Sequence, residues 1–254
     1  MLRVVGCCMR PDHPESSTVQ LSIILPCLDE AATVRACIQD ARSGLADLGV
    51  IGEIIVADNG SRDDSVTIAT GCGAVVVHAL VRGYGAALGA GIAAASGEFV
   101  LIADADRSYD LTDVRAFWDR LLAGDQLVIG NRFSGTIRPG AMPILNKWLG
   151  NPILTAVGRR LFKVDVGDFH CGIRAAQRDA LQELHLQTVG MEYATEMIAR
   201  AAQAKLRIGQ VPTVLSRSQR PRKSHLRPWR DGTRHLRLML SLRRRSTAQA
   251  SSTP

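Results

Sequence analysis

The sequence predicts an α/β fold in which a doubly wound, mostly parallel sheet is flanked by helices. Short apolar runs alternate with segments of helical periodicity from residue 20 to residue 130, a pattern typical of such sheets. The run 99–103 is apolar throughout, as expected for a strand that is covered on both faces. Polar clusters follow several of these runs, and open α/β sheets bind their ligands beyond the carboxyl ends of the strands. The sequence therefore predicts both the fold class and the edge of the sheet at which a site would lie.

Each strand is assigned to an apolar run that ends in turn-forming residues. Strands are predicted at 20–25, 53–57, 74–77, 99–103, 126–130 and 206–211. Apolar residues three to four positions apart predict the intervening helices, at 30–48, 62–70, 83–95 and 112–122. The second half of the chain departs from this alternation. Its predicted elements are a helix at 139–161 broken at 150–152, a short segment at 168–175, and helices at 178–184, 191–204 and 231–242.

The 254 residues fit one large domain with extensions, and a hydrophobic content of 46% allows a sizeable core. We expect a disordered lead at 1–18, the domain at 19–228, a basic amphipathic helix at 229–245 and a disordered tail at 246–254. No apolar run reaches the roughly 20 residues of a membrane span, and the first residues lack a signal-peptide core. The six cysteines show no Cys-x-x-Cys spacing. Reduced thiols and a cytoplasmic location are therefore expected.

Basic residues are concentrated near the C-terminus. Residues 217–245 contain eleven Lys or Arg and one acid, a net charge of +10, whereas the whole chain carries +7. Such a segment must face an anionic partner. Apolar and basic residues alternate over 235–245, which suits a helix lying on an anionic bilayer at the cytosolic face of a membrane. A solvated basic tail is the alternative.

Two carboxylates, Asp104 and Asp106, follow the apolar run 99–103 with only Ala105 between them. Acids after a strand often cap the next helix. A closely spaced pair is nevertheless costly unless a cation neutralises it, and oxygen ligands of this kind suit Mg²⁺ or Mn²⁺ shared with substrate phosphates. Further polar clusters follow the other strands, at 26–30, 58–61 and 131–132. The carboxyl ends of parallel strands share one edge, so these clusters are expected to meet in a common cleft.

Five motifs occur in a specific order: Pro-x-Leu-Asp-Glu at 26–30, Val-x-Asp-x-Gly-Ser at 56–61, Gly-x-Gly-x-Ala-Leu at 83–88, Asp-Ala-Asp at 104–106 and Asp-x-x-Cys-Gly-x-Arg at 168–174. In this combination the sequence resembles the family 2 glycosyltransferases, which are inverting nucleotide-sugar enzymes with a GT-A domain. It is most similar to the dolichyl- or polyprenyl-phosphate sugar synthases, from about residue 20 to residue 240. The resemblance implies a GT-A fold for 19–228. It also implies transfer of a hexose, mannose or glucose, from a nucleoside-diphosphate sugar to a polyprenyl phosphate.

The resemblance assigns the donor side of the site. It implies that Pro26, Leu28 and Glu30 contact the nucleoside and that Asp58 holds the base or ribose. The family often has a second Asp where this chain has Asn59, which leaves the identity of the base open. On residues alone, Glu30 could instead cap a helix and Asp58 could begin a turn.

The resemblance also indicates which residues would bind the diphosphate of the donor. Asp104 and Asp106 would bind the divalent cation, and some relatives place a further ligand at the position of Ser108. Arg132 follows the fifth strand, and its planar fork suits phosphate oxygens. It would help to neutralise the leaving nucleoside diphosphate. A surface ion pair is the alternative for this arginine.

On the acceptor side, the resemblance implies that Asp168 and Arg174 line the site. Glu192 and Glu196 lie four residues apart on one helix face. Either glutamate would act as a general base for a hydroxyl acceptor, whereas an anionic phosphate acceptor needs none. Alternatively, both glutamates anchor Arg174 or the basic loop. Cations of that loop would approach the phosphates, and the candidates are Arg217, Arg220, Lys223 and His225.

Other functions remain to be weighed. A small soluble or cell-envelope acceptor is the main alternative within the family. A dinucleotide-dependent oxidoreductase is suggested by Gly83 and Gly85, although the third glycine, Gly89, is displaced from the usual fingerprint. The basic end could suit a nucleic acid, but aromatic residues make up only 4% of the chain, so stacking platforms are scarce and no nucleic-acid partner is expected.

Overall fold

A computed structural model describes residues 18–220 and 228–251 and shows one seven-stranded sheet in the order β3-β2-β1-β4-β6-β5-β7. Strands β1 to β4 are parallel, and β5 is parallel to β7. Only β6 runs the other way, between β4 and β5. The strands are β1 (Leu21–Cys27), β2 (Gly52–Asp58), β3 (Val75–His78), β4 (Phe99–Ile102), β5 (Leu127–Ile137), β6 (Arg174–Gln177) and β7 (Ile208–Leu215).

Helices cover both faces of the sheet, as a doubly wound fold requires. The helices are α1 (Val34–Leu48), α2 (Ser65–Gly71), α3 (Tyr84–Ala94), α4 (Arg115–Leu122), α5 (Asn151–Phe162), α6 (Arg178–Glu183), α7 (Tyr193–Gln203) and α8 (Pro228–Ser251). A π-helical turn, Asn146–Gly150, leads directly into α5. In the described part of the chain, no helix has the length and hydrophobicity needed to cross a membrane.

The core lies around β1 and β4, the two central parallel strands. Every residue of β4 is buried, and the run Leu21–Leu25 of β1 is buried as well. Their register sets Ile24 beside Ile102, so both strands deliver their following loops to one edge. The Phe99 ring packs edge-to-face on Trp118 of α4, with ring centroids 5.4 Å apart. The predicted α/β class with a mostly parallel sheet is confirmed.

Strand β6 is the main element that the sequence did not reveal. The segment around 168–175 was predicted only as a short connection, but Arg174–Gln177 enters the sheet antiparallel to both neighbours. Its four residues, Arg-Ala-Ala-Gln, lack the β-branched and aromatic residues that mark a strand. Strand β5 also continues to Ile137, past the predicted end at 130, because it pairs again with β7 after an irregularity.

Several helix boundaries differ from the predictions, and two of these differences lie in the second half of the chain. The π-helical turn passes directly into α5, so the chain stays helical through the predicted break at 150–152, with Pro152 in the first turn of α5. Helix α8 continues to Ser251, past the predicted helix end at 245 and into the expected tail. The expected disordered lead lies outside the described residues except for its last position, residue 18.

Candidate active site

The carboxyl ends of β1, β2 and β4 meet at one edge of the sheet, as the sequence predicted. Cys27 at the end of β1 lies in register with Asp58 at the end of β2. The loop after β4 carries Asp104 and Asp106, and the Thr33 hydroxyl donates a 2.7 Å hydrogen bond to the carbonyl oxygen of Ala105 between them. That bond ties the acidic loop to the start of α1.

The pKa values of the two aspartates are shifted in opposite directions. Burial raises the pKa of Asp104 to about 6, and the negative charge of Asp106 adds to this effect. Burial also opposes ionisation of Asp106, but hydrogen bonds from Ser108 and the charge of Arg220 outweigh it and hold the pKa of Asp106 below its usual value. The Ser108 amide donates to Asp106 Oδ1 at 3.0 Å. Arg220 and the Ser108 hydrogen bonds thus favour the charged form of Asp106, whereas burial favours the neutral form of Asp104.

Arg220 comes from the loop after β7 and closes over the acidic pair. Its Nη2 lies 2.5 Å from Asp106 Oδ2, and its Nη1 lies 3.5 Å from Glu30 Oε1. The amide of Gln219 donates to the Asp106 carbonyl oxygen at 3.0 Å, which fixes the loop there. The structure thus brings Arg220 and Glu30 to the acidic pair. Arg217 is exposed, and the Lys223 and His225 positions lie outside the described residues.

The predicted nucleoside side lies at the ends of β1 and β2. The Asp58 carboxylate accepts hydrogen bonds from the amides of Gly60 and Ser61, both at 3.1 Å, and lies 3.2 Å from His78 Nδ1. Burial opposes ionisation of Asp58, but these bonds hold its pKa below the usual value. Pro26 lies within β1 and Leu28 directly after it, both half-buried.

Asn59 was a predicted donor-side residue but bonds within the protein, whereas His78 was not predicted and lies exposed beside Asp58. The Asn59 side chain is used within the protein, since its Nδ2 donates to the Val81 carbonyl at 2.9 Å and its Oδ1 accepts from the Gly83 amide at 2.7 Å. His78 was not predicted, yet its side chain is 66% exposed beside Asp58. It ends β3, so the rule that directed attention to the other strand ends could have found it.

Arg132 and Asp168 form a buried bidentate ion pair. Arg132 Nε and Nη2 donate to the two Asp168 oxygens at 2.6 and 2.8 Å. Burial opposes the charged form of Arg132, but Tyr109 and Asp168 raise its pKa above the usual value. Arg132 is therefore not the surface ion pair that was the alternative. The Arg132 guanidinium, which was expected to face phosphate, donates two of its hydrogen bonds to Asp168. Contact between Arg132 and a substrate stays a prediction.

Arg174, which was expected to line the acceptor side of the site, is buried. Its guanidinium is buried and donates to three backbone carbonyls, those of Cys171 at 2.9 Å, Ala194 at 2.6 Å and Phe169 at 2.8 Å. Burial lowers the pKa of Arg174. The residue joins the 168–174 loop to α7 and so positions that loop.

Glu192, which precedes α7, and Glu196, in its first turn, both pair with arginines. Glu192 pairs with Arg234 of α8. Glu196 accepts from the amides of Gln187 and Thr188 at 3.0 and 2.8 Å and pairs with Arg200 at 2.7 Å. Burial opposes ionisation of Glu196, but these bonds hold its pKa below the usual value. The anchoring alternative named Arg174 or the basic loop, whereas the side-chain partners found in the described residues are Arg234 of α8 and Arg200 of α7.

Two features around Asp104 were missed. The Tyr84 side chain favours the charged form of Asp104 and so lowers its pKa, and Gly172 lies so close to Asp104 Oδ2 that an added Cβ would overlap it. The Tyr109 hydroxyl accepts from the Gly172 amide at 2.9 Å and holds the loop there. Both Tyr84 and Gly172 belong to recognised motifs, but a contact across the sheet edge leaves no trace in spacing.

Within the described residues, no group of three or more His, Cys, Asp or Glu side chains could hold a metal ion. Asp104 and Asp106 supply hard oxygen ligands from one short loop, and burial together with the charge of Asp106 raises the pKa of Asp104. This donor set fits a divalent cation whose remaining ligands come from a substrate or water.

A profile of Glycosyl transferase family 2 matches residues 22–185. The chain belongs to this family. It is 34% identical to the low-salt glycan biosynthesis hexosyltransferase Agl6 of Haloferax volcanii over 87% of this chain and 53% of that protein. A dolichyl-phosphate hexose transferase of the same organism is 31% identical over 67% of this chain and 74% of its own length. The glycosyltransferase family is thus confirmed over the dinucleotide-dependent oxidoreductase.

A solved structure gives the same answer for the fold. Glucosyl-3-phosphoglycerate synthase from Mycobacterium tuberculosis, in complex with Mn²⁺, uridine diphosphate and glucosyl-3-phosphoglycerate, superposes with a TM-score of 0.67 at 28% identity. The match covers 88% of this chain and 80% of that one. The GT-A fold that the resemblance implied is confirmed. The chain spans about half the length of the Agl6 relative.

Proposed function

We propose that this chain is an inverting glycosyltransferase that moves a hexose, mannose or glucose, from a nucleoside-diphosphate sugar to a polyprenyl or dolichyl phosphate. The observation that carries the proposal is the acidic pair Asp104 and Asp106 at the carboxyl end of β4, covered by Arg220, in a family 2 chain. Nucleotide-sugar transfer needs a site that stabilises a departing diphosphate. The pair and its arginine form such a site.

Asp104 and Asp106 would hold Mg²⁺ or Mn²⁺ against the donor diphosphate. The related synthase structure contains Mn²⁺ and uridine diphosphate, which supports this choice. The metal, when bound, neutralises negative charge on the leaving diphosphate. Tyr84 favours the charged form of Asp104, and Gly172 leaves space for its carboxylate. Arg220 would exchange part of its contact with Asp106 for the phosphate oxygens, since a guanidinium fork suits them.

The nucleoside would lie over the ends of β1 and β2. Asp58 is kept ionised by the Gly60 and Ser61 amides and can accept a hydrogen bond from the base or ribose. Pro26, Leu28 and Glu30 would complete this side.

The engaged carboxylates favour a phosphate acceptor. Glu192, Glu196 and Asp168 are each paired with an arginine. A hydroxyl acceptor needs a base to remove its proton, whereas a phosphate is already anionic and attacks the anomeric carbon directly. The dolichyl-phosphate hexose transferase among the relatives is consistent with such an acceptor.

A small soluble or cell-envelope acceptor is the second candidate. The solved relative is bound to glucosyl-3-phosphoglycerate, a small molecule. For this acceptor, transfer would proceed in buffer without lipid. For the favoured acceptor, we infer a cytoplasmic protein that works at the cytosolic face of a membrane, and the net charge of +10 over 217–245 supports contact with anionic lipid there.

The decisive experiment is a panel of nucleotide sugars screened by thermal shift with and without Mn²⁺. A true donor stabilises the folded protein by mass action, by about 2.7 kcal/mol at a hundredfold excess over its Kd. The stabilisation should require Mn²⁺ or Mg²⁺ and should be lost in Asp106→Asn, whose circular dichroism should match the wild type. If no nucleotide sugar stabilises the protein, or if Asp106→Asn responds like the wild type, the proposal fails.

A further inference from the structure

The π-helical turn, the two residues before it and the start of α5 present an exposed apolar surface. Ile144 is 79% exposed and Trp148 is 73% exposed, with the other members near half. Successive members are one, three, one and four positions apart, so they follow one side of the helix. We call this surface the Trp148 patch, and its members are Ile144, Leu145, Trp148, Leu149 and Ile153.

The Trp148 patch lies at the exposed end of a helix whose other end is packed against the protein core. None of the residues of the π-helical turn is buried. Farther along the same helix, Thr155 and Gly158 are buried in α5. The Phe169 ring lies against Gly158, where an added Cβ would come within 2.5 Å of it. One end of the helix is therefore anchored while the other exposes contiguous large apolar side chains, which marks an interaction site.

The surroundings of the patch are basic. Residues 126–164 contain no Asp or Glu, whereas five Lys or Arg lie between 138 and 163, of which Arg159 pairs with Asp165. The Lys147 ammonium lies 5.4 Å from the centre of the Trp148 ring. Helix α8 contacts both α5 and the π-helical turn, and it carries exposed Arg237 and Arg244. The partner of this surface is therefore apolar where it meets the patch and anionic around it.

We propose that the Trp148 patch inserts into an anionic lipid bilayer, with the Trp148 ring at the headgroup level. Tryptophan favours that depth, and basic residues around an apolar helix face add attraction to anionic lipids. A second copy of this chain is a poorer occupant, because two such surfaces would bring like charges together. The proposal deepens the proposed function by naming its membrane contact, but vesicle binding is measured without donor or acceptor. Failure of either proposal is therefore distinguishable.

The test is co-sedimentation of the full chain with vesicles of phosphatidylcholine alone or mixed with phosphatidylglycerol. Binding should require phosphatidylglycerol and weaken with salt. Combined Ile144→Ser and Trp148→Ser should lower the apparent vesicle affinity at least about tenfold. Leu122→Ser is the matched control, since Leu122 is an exposed apolar residue of α4, and it should bind like the wild type. Equal binding by the double variant, or equal binding to neutral vesicles, would overturn the proposal.

Fluorescence supplies a second readout that locates the contact. In Trp229→Phe, the remaining tryptophans are Trp148 and the buried Trp118. Anionic vesicles should shift the emission of this variant to shorter wavelength, and the shift should vanish when Trp148→Phe is added. Light scattering tests the competing occupant. A dimer of the wild-type chain that Trp148→Ser dissociates would assign the patch to a second copy and exclude the bilayer.

Discussion

Asp104 and Asp106 are two residues apart, yet their environments push their ionisation in opposite directions. Asp106 receives Arg220 and the Ser108 amide, whereas Asp104 is buried and meets the negative charge of its neighbour. In the folded, metal-free protein the pKa of Asp104 is about 6, above the ordinary value of 3.8. The folded state therefore binds its proton more tightly than the unfolded state.

This difference predicts a pH-dependent effect of Asp104→Asn. The raised pKa favours folding at low pH, and this contribution disappears as pH rises from about 4 to about 6, at a cost of at most about 3 kcal/mol. In EDTA at pH 8, Asp104→Asn should therefore have a higher Tm than the wild type, and at pH 4 the two should be similar. Thermal unfolding monitored by circular dichroism measures this. Asp106→Asn is the control, and its Tm at pH 8 should fall because Arg220 loses its partner. A lower Tm for Asp104→Asn at pH 8 would contradict the assignment.

The buried pair of Arg132 and Asp168 stabilises the fold and is also proposed to act in sugar transfer. Asp168→Asn should lower the free energy of unfolding by about 3–5 kcal/mol, because it leaves a buried cation without its counterion. Arg132→Met combined with Asp168→Leu should recover most of that loss, since an apolar pair of similar volume replaces the ions. Urea unfolding measures stability, and a transfer assay measures activity.

The stability and the transfer activity of the double variant at Arg132 and Asp168 should respond differently. If Arg132 also stabilises the leaving diphosphate, the double variant should fold well but transfer sugar slower by orders of magnitude. A double variant with normal transfer would show that the pair only supports the fold.

At the scale of elements, the 168–174 loop matters because it fits β6 against β4 and places Gly172 on Asp104. Arg174, at the first position of β6, holds this loop through carbonyls of Phe169 and Cys171. The loop is thus set by a buried arginine at one end and by the Arg132–Asp168 pair at the other.

Gly172→Ala should weaken the metal site without unfolding the protein. Its Cβ would overlap Asp104 Oδ2, so the carboxylate or the loop must shift. We expect at least about a tenfold loss of Mn²⁺ affinity, measured by calorimetry, since ligand groups must be held to about 0.5 Å. Gly89→Ala is the matched control because nothing lies near its Cβ in α3. It should keep Mn²⁺ affinity and gain about 0.5–1 kcal/mol of stability. Equal Mn²⁺ affinities would contradict the role assigned to Gly172.

At the scale of the whole molecule, Arg220 joins the far end of the sheet to the acidic edge. It reaches Asp106 across 114 positions of sequence, and it also lies 3.5 Å from Glu30 near the start of the domain. Removing it exposes the mutual repulsion of the acidic groups that it covers.

Arg220→Gln should therefore lower Tm more in EDTA than in saturating Mn²⁺. Without metal, the variant loses a charged hydrogen bond of about 1.5–3 kcal/mol, while a bound cation supplies the missing positive charge. Arg217→Gln is the matched control, since Arg217 is exposed on the same loop. An equal loss of Tm in EDTA and in Mn²⁺ would show that Arg220 does not share the charge role of the metal.

Much of the architecture was predictable because its causes are local. The apolar run of β4 and the helical periodicity of α1 are properties of short segments, and the position of Asp104 and Asp106 follows from the rule for strand ends. β6 was not predictable, since Arg174–Gln177 lacks a strand pattern and is recruited by its two neighbours.

The sequence by itself determined the class of fold, the family and the edge of the sheet where the acids collect. Tertiary structure decided which charges meet: Arg132 with Asp168, Arg220 with Asp106, and Glu196 with Arg200. Glu196 and Arg200 lie four residues apart on one helix, yet the sequence alone also allowed Glu196 to pair with other basic residues. The physical reason is that an ion pair depends on distance and burial in three dimensions, whereas apolar periodicity is written along the chain.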